Sequence, residues 1–124
     1  GNHRIGTMEL ESAIADVGGV AEAAIVDVGQ SGTENAVFAF VSTDGGHGTE
    51  ADLRRRIDES VAHSIGSFAT PTEVIFTPEL PKTRSGKLMR RLLKDIANDA
   101  ELGDTSALRN PEIVGEIESA LGDE

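Results

Sequence analysis

The chain has 124 residues, with 22 Asp and Glu against 11 Lys and Arg, a formal net charge of -11 and no cysteine. This length suits one domain with a modest core. The missing cysteines exclude disulfides, thiol catalysis and cysteine-based metal sites and fit a cytoplasmic protein; no apolar run reaches the about 18 residues needed to cross a bilayer. So acidic a surface fits work at high salt, where carboxylates hold water and screening removes their repulsion, better than it fits an acidic interaction face. It also repels polyanions and so argues against nucleic acid as a partner.

In chain order, Thr7 is a candidate N-cap for a helix predicted over 8–16. Glu9 and Glu11 lie in its first turn, Leu10, Ile14 and Val17 form its apolar face, and Gly18-Gly19 ends it. The runs 21–28 and 35–42 are rich in Val, Ile and Phe. Six turn-forming residues separate them, which predicts a hairpin. The stretch Asp44-Gly45-Gly46-His47-Gly48 is a loop without the basic or hydroxyl partner that a phosphate cradle needs. Thr49-Glu50-Ala51-Asp52 then carries a capping pattern, and Leu53, Ile57, Val61 and Ile65 recur every four residues along a helix that Gly66 ends. On that helix Arg54, Arg55 and Arg56 point to different sides, with Glu50, Asp52, Asp58 and Glu59 close by. This is a solvated face, not a binding patch.

Residues 73–76 read as a third strand, and 98–109 as a turn-rich crossing. Pro111 stands at the first position of a helix with Ile113, Val114, Ile117, Ala120 and Leu121 on one side and Glu112, Glu116 and Glu118 on the other. The expectation is an α+β fold with one core over residues 1–124: a small three-stranded sheet packed with helices. His3, His47 and His63 have no ligand-like spacing, so no metal site is expected.

One stretch departs from the acidic background. From Lys82 to Lys94 there are six of the eleven Lys and Arg residues and no acid. Leu88, Met89, Leu92, Leu93 and Ile96 recur at helical spacing, so a helix is predicted to begin near Lys87 or Leu88. That would put Lys87 at a strand-to-helix junction, where free N–H groups and the helix dipole attract anions. A solvated basic face is the plainer reading of such a run. A phosphate-binding P-loop does not fit, because its pattern needs Gly where Pro81 stands and a hydroxyl where Leu88 stands.

The string Leu80-Pro81-Lys82-Thr83-Arg84-Ser85-Gly86-Lys87, with the basic helix after it, resembles the signature loop of the adenylate-forming enzymes. With His3-Arg4-Ile5-Gly6-Thr7-Met8-Glu9-Leu10-Glu11 and Leu102-Gly103-Asp104-Thr105-Ser106-Ala107-Leu108, nearly the whole chain resembles the C-terminal domain of AMP-forming acetyl-CoA synthetases (acetate–CoA ligases). The resemblance implies a piece of a longer enzyme, inactive alone, whose large N-terminal adenylation domain is its partner. That parent enzyme would use ATP with Mg2+ to turn acetate into acetyl-adenylate and pyrophosphate. CoA would then give acetyl-CoA and AMP, with this domain rotating between the two steps.

By the same resemblance, Lys87 is the catalytic lysine of adenylation and a target for acetylation, which brings a lysine acetyltransferase and deacetylase as partners. Arg4 would contact ATP phosphates, and the backbone at Gly1 and Asn2 would line the CoA passage. Two departures stand out: Asn2 replaces the family's usual Gly, and Ala62 and His63 replace basic residues that reach the nucleotide end of CoA. The family's magnesium-binding loop corresponds to 15–20, which has no His, so no metal is carried over. Alternatives are a propionyl- or other acyl-CoA synthetase and a non-catalytic interaction module.

Overall fold

Alternation on the central strand decides the architecture. Ala39, Phe40 and Val41 are all fully buried, with Phe40 on one face of the sheet and its two neighbours on the other. A strand buried on both sides needs a layer of helices on each. The computed structural model describes residues 7–28, 36–44, 48–98 and 105–122. In it, β1 (Val20–Val28) pairs antiparallel with β2 (Ala36–Thr43), placing Ile25 opposite Ala39. On the other side, β3 (Glu73–Thr77) runs parallel to β2, with Ile75 beside Phe40. The sheet order is β1-β2-β3, and the crossover from β2 to β3 contains a helix, as a parallel pair requires.

Helices α1 (Thr7–Ala15) and α2 (Glu50–Ser64) cover the face of Ile25, Ala39 and Val41 with Leu10, Ile14, Leu53, Ile57 and Val61. Helices α3 (Arg90–Ala97) and α4 (Ile113–Gly122) cover the Phe40 face with Leu92, Leu93, Ile96, Ile113 and Ile117. The α+β fold and three-stranded sheet match expectation, but the single core does not: the sheet divides the apolar interior into two layers. Each fully buried Leu, Ile or Val contributes about 1.5–3 kcal/mol.

The cap on α2 forms as the sequence predicts. Thr49 Oγ1 accepts from the Asp52 N–H at 3.0 Å, worth about 1 kcal/mol. Thr7 is itself the first residue of α1 rather than its cap. The open edge of β1 is partly closed by Glu11 of α1, whose Oε2 accepts from the Ile25 N–H at 2.8 Å. This shields one unpaired ladder group of an edge strand.

Helix α3 is the main correction. It starts at Arg90, not at Lys87 or Leu88, because the Met89 N–H donates to Pro81 C=O at 2.9 Å and Met89 is non-helical at φ -99° and ψ 81°. Leu88 and Met89 keep their half-buried contact with the α3/α4 layer, which explains why they fit the helical pattern without being helical. Lys87 therefore lies before the helix, and its position cannot be credited to helix N–H groups or the dipole.

Candidate functional site

The basic stretch opens as a small clamped hairpin. Leu80 and Pro81 are fully buried and anchor its base. Lys82 and Leu88 form an antiparallel bridge, and Thr83 N–H donates to Lys87 C=O at 2.8 Å. The turn closes with Gly86 N–H on Thr83 C=O at 2.9 Å, and Gly86 takes φ 93°, a conformation that residues with a side chain rarely adopt. Thr83 fixes the turn from inside: its Oγ1 accepts from the Lys87 N–H at 3.1 Å and lies 3.0 Å from Ser85 Oγ. Both backbone polar groups of Lys87 are thus held by Thr83, while its side chain is exposed.

Charge pairing separates the six cations. Lys82 Nζ donates to Glu22 of β1, and Arg90 makes a two-point contact with Glu11 of α1, one arm at 2.7 Å. The hydrogen bonds it donates to Glu11 hold the Arg90 guanidinium above its ordinary value, against the opposing effect of burial. Arg91 lies 3.6 Å from Asp95, one turn along α3. Arg84 leans on the Ser106 carbonyl at 3.5 Å. Among the described residues Lys87, like Arg84 and the exposed Lys94 on α3, has no carboxylate within ion-pair distance. What reads in sequence as a basic patch is a hairpin and a helix tied down by ion pairs, with one ammonium presented outward at the turn. Such a group suits a phosphate or a carboxylate.

A cleft of about 580 Å³ lies beside the hairpin, with Glu22, Glu79, Lys82, Arg109, Asn110 and Glu112 among its lining residues. Its three acids and two bases make it no anion site. Among the described residues no three His, Asp or Glu side chains gather as metal ligands. Of the other predicted site residues, Gly1, Asn2 and Arg4 lie outside the described residues, as do Leu102, Gly103 and Asp104. Ala62 is half-buried and His63 exposed near the end of α2. Sequence reasoning missed Thr83 as the brace of the turn and Asn110 as the brace of its base. The single visible signal was a polar residue directly before Pro111, which the sequence places first in the last helix; Pro111 and Glu112 form a turn instead, and α4 starts at Ile113.

Residues 9–87 match the family described as AMP-binding enzyme C-terminal domain, and Lys87 is the last residue matched. The chain belongs to this family. Similar curated proteins are named acetyl-coenzyme A synthetase: one from Gemmatimonas aurantiaca is 47% identical over 93% of the chain, and one from Mycolicibacterium smegmatis 45% identical over 95%. The chain spans 18% and 13% of their respective lengths. Among solved structures, the Brucella canis acyl-CoA synthetase superposes with a TM-score of 0.67 at 35% identity, over 75% of this chain and 17% of that one. Acetoacetyl-CoA synthetase from Streptomyces lividans covers 97% of this chain and 18% of its own, with a TM-score of 0.71; at 22% identity it speaks for the fold.

Proposed function

We propose that this chain is the mobile C-terminal domain of a longer, cytoplasmic AMP-forming acetyl-CoA synthetase, and that Lys87 is its adenylation lysine. The supporting observation is Lys87 itself: an exposed ammonium, free of carboxylate partners among the described residues, at the tip of a braced hairpin in a domain of this family. Relatives at 45–47% identity that carry the acetyl-CoA synthetase name support acetate as the acyl substrate.

In the first half-reaction an acetate oxygen attacks the α-phosphorus of ATP. The bond to the bridging oxygen breaks, and pyrophosphate leaves with its electron pair. Two anions must approach each other for this, and an ammonium beside both offsets their repulsion in a site closed to water. Lysine is cationic without help at an ordinary pKa of about 10.4. In the second half-reaction the CoA sulfur attacks the acetyl carbon and AMP departs. Rotation of this domain against its N-terminal adenylation partner would take Lys87 away for that step. Arg4 would contact the nucleotide phosphates, and the backbone of Gly1 and Asn2 would border the CoA passage. Mg2+ would arrive with the phosphates of ATP.

The exposure of Lys87 also suits acetylation by a lysine acetyltransferase and its reversal by a deacetylase; acetylation removes the charge on which this role depends. The excess of acids supports activity at high salt. The test is acetate-dependent release of pyrophosphate from ATP. The full-length protein should show it and go on to form acetyl-CoA, and the 124-residue chain alone should do neither. Turnover by the chain alone, or indifference of the full-length protein to acetate, would contradict the reading.

A further inference from the structure

Asn110 is only 4% exposed, and it lies in the segment before α4, 23 positions after Lys87. Its side chain nevertheless holds the stretch that leads into the lysine hairpin. Oδ1 accepts from the Lys82 N–H at 3.2 Å, while Nδ2 donates to Leu80 C=O at 3.0 Å and to Glu79 Oε1 at 2.8 Å. The neighbouring backbone completes the grip: Arg109 N–H donates to Lys82 C=O at 2.9 Å, and Leu108 bridges to Thr83. Both backbone groups of Lys82, where the first arm of the hairpin begins, are therefore held by residues 109 and 110.

We propose that Asn110 is a positioning residue for Lys87, fixing the base of the hairpin so that the lysine at its tip meets the reacting anions in one place. The inference rests on the adenylation role proposed for Lys87. Only a carboxamide offers an acceptor and two donors at one point, and these three partners use all of them. Removing it leaves the half-buried Lys82 N–H and the buried Leu80 C=O without their partner. A hairpin freed at its base lets its tip wander, and a misplacement of about 1 Å can cost on the order of a hundredfold in rate. The neighbour Glu79 makes the requirement stricter. An aspartate at 110 would turn lone pairs towards the Glu79 carboxylate and the Leu80 carbonyl, so two acceptors would face each other where a donor now stands.

The experiment uses the full-length synthetase and measures both half-reactions: acetate-dependent pyrophosphate release, and conversion of supplied acetyl-adenylate and CoA to acetyl-CoA. Lys87→Ala serves as the reference; if it leaves pyrophosphate release unchanged, the role of Lys87 fails, and the proposal for Asn110 with it. Asn110→Ala should slow pyrophosphate release about tenfold to a hundredfold while the second half-reaction keeps most of its rate. The Lys87→Ala/Asn110→Ala double variant should be no slower than Lys87→Ala alone, because Asn110 acts through that lysine. Asn110→Asp should be at least as impaired as Asn110→Ala, and adding Glu79→Gln should restore part of the rate by returning a donor to the pair. If Asn110→Ala proves too unstable to purify, the aspartate variant and its rescue decide. Equal loss of both half-reactions, additivity with Lys87→Ala, or an aspartate variant that Glu79→Gln fails to rescue would overturn the proposal.

Discussion

Two basic clusters interrupt this acidic chain, and they are neutralised in different ways. On α2, Arg54, Arg55 and Arg56 meet Asp58, Asp52 and Glu59 on their own helix, at 2.6–3.5 Å and three or four positions away. In the hairpin and α3, Lys82 and Arg90 find Glu22 and Glu11 across 60 and 79 positions, in other elements. The first arrangement lies along the outer side of α2, although Arg54 also reaches Pro71 C=O at 3.0 Å. The second docks one element on another, and it leaves Lys87 unpaired among the described residues at the tip of the part so docked. In this chain the range of the pairing, rather than the density of positive charge, separates a surface from a site.

Breaking the long-range pairs should therefore cost more than breaking the local ones. The largest loss of stability is expected for Glu11→Ala, which removes both the Ile25 N–H acceptor and the two-point contact with Arg90. Thermal or denaturant unfolding should show a loss of about 2 kcal/mol. Lys82→Met keeps the buried stem and deletes only the charge paired with Glu22, and should cost about 1 kcal/mol or less. Asp52→Asn, on the exposed face of α2, should lower the unfolding midpoint at neutral pH least of the three.

The small contribution of Asp52 should fade in acid. The hydrogen bond from Arg55 holds its carboxyl below the usual range, against the opposing effect of burial, with the charges of Arg55 and Arg56 adding to it. A group lowered on folding adds stability above its unfolded value, and that stability is lost as pH falls through the folded one. The parent should thus be slightly more stable than Asp52→Asn at neutral pH, and the difference should close as pH falls below about 4. A midpoint at pH 7 as sensitive to Asp52 as to Glu11 would erase the contrast between the clusters.

Much of the fold was legible because its causes are local. Four-residue spacing marked α2, Thr49 marked its start, and the runs around residues 25 and 40 marked the hairpin strands. The two-layer interior was harder to read, since a strand buried on both faces shows continuous apolarity rather than a sidedness. The start of α3 was misread for a related reason: Leu88 and Met89 bury against the same layer as the helix, while a backbone bond from Met89 to Pro81 delays the first turn. At the candidate site, Lys87 stood out by motif. The groups that hold it did not, because Glu22, Glu11 and Asn110 are brought there by the tertiary fold and carry no local pattern.

The central claim is that Lys87 stabilises the adenylation step and little else. Its most direct test is Lys87→Ala in the full-length protein, with the two proposed half-reactions measured side by side. Loss of one well-placed charge in a closed site should slow acetate-dependent pyrophosphate release by roughly 10²–10³, while acetyl-adenylate and CoA still yield acetyl-CoA at close to the parent rate. An equal fall in both half-reactions would contradict the account and make Lys87 a structural or general nucleotide-binding residue.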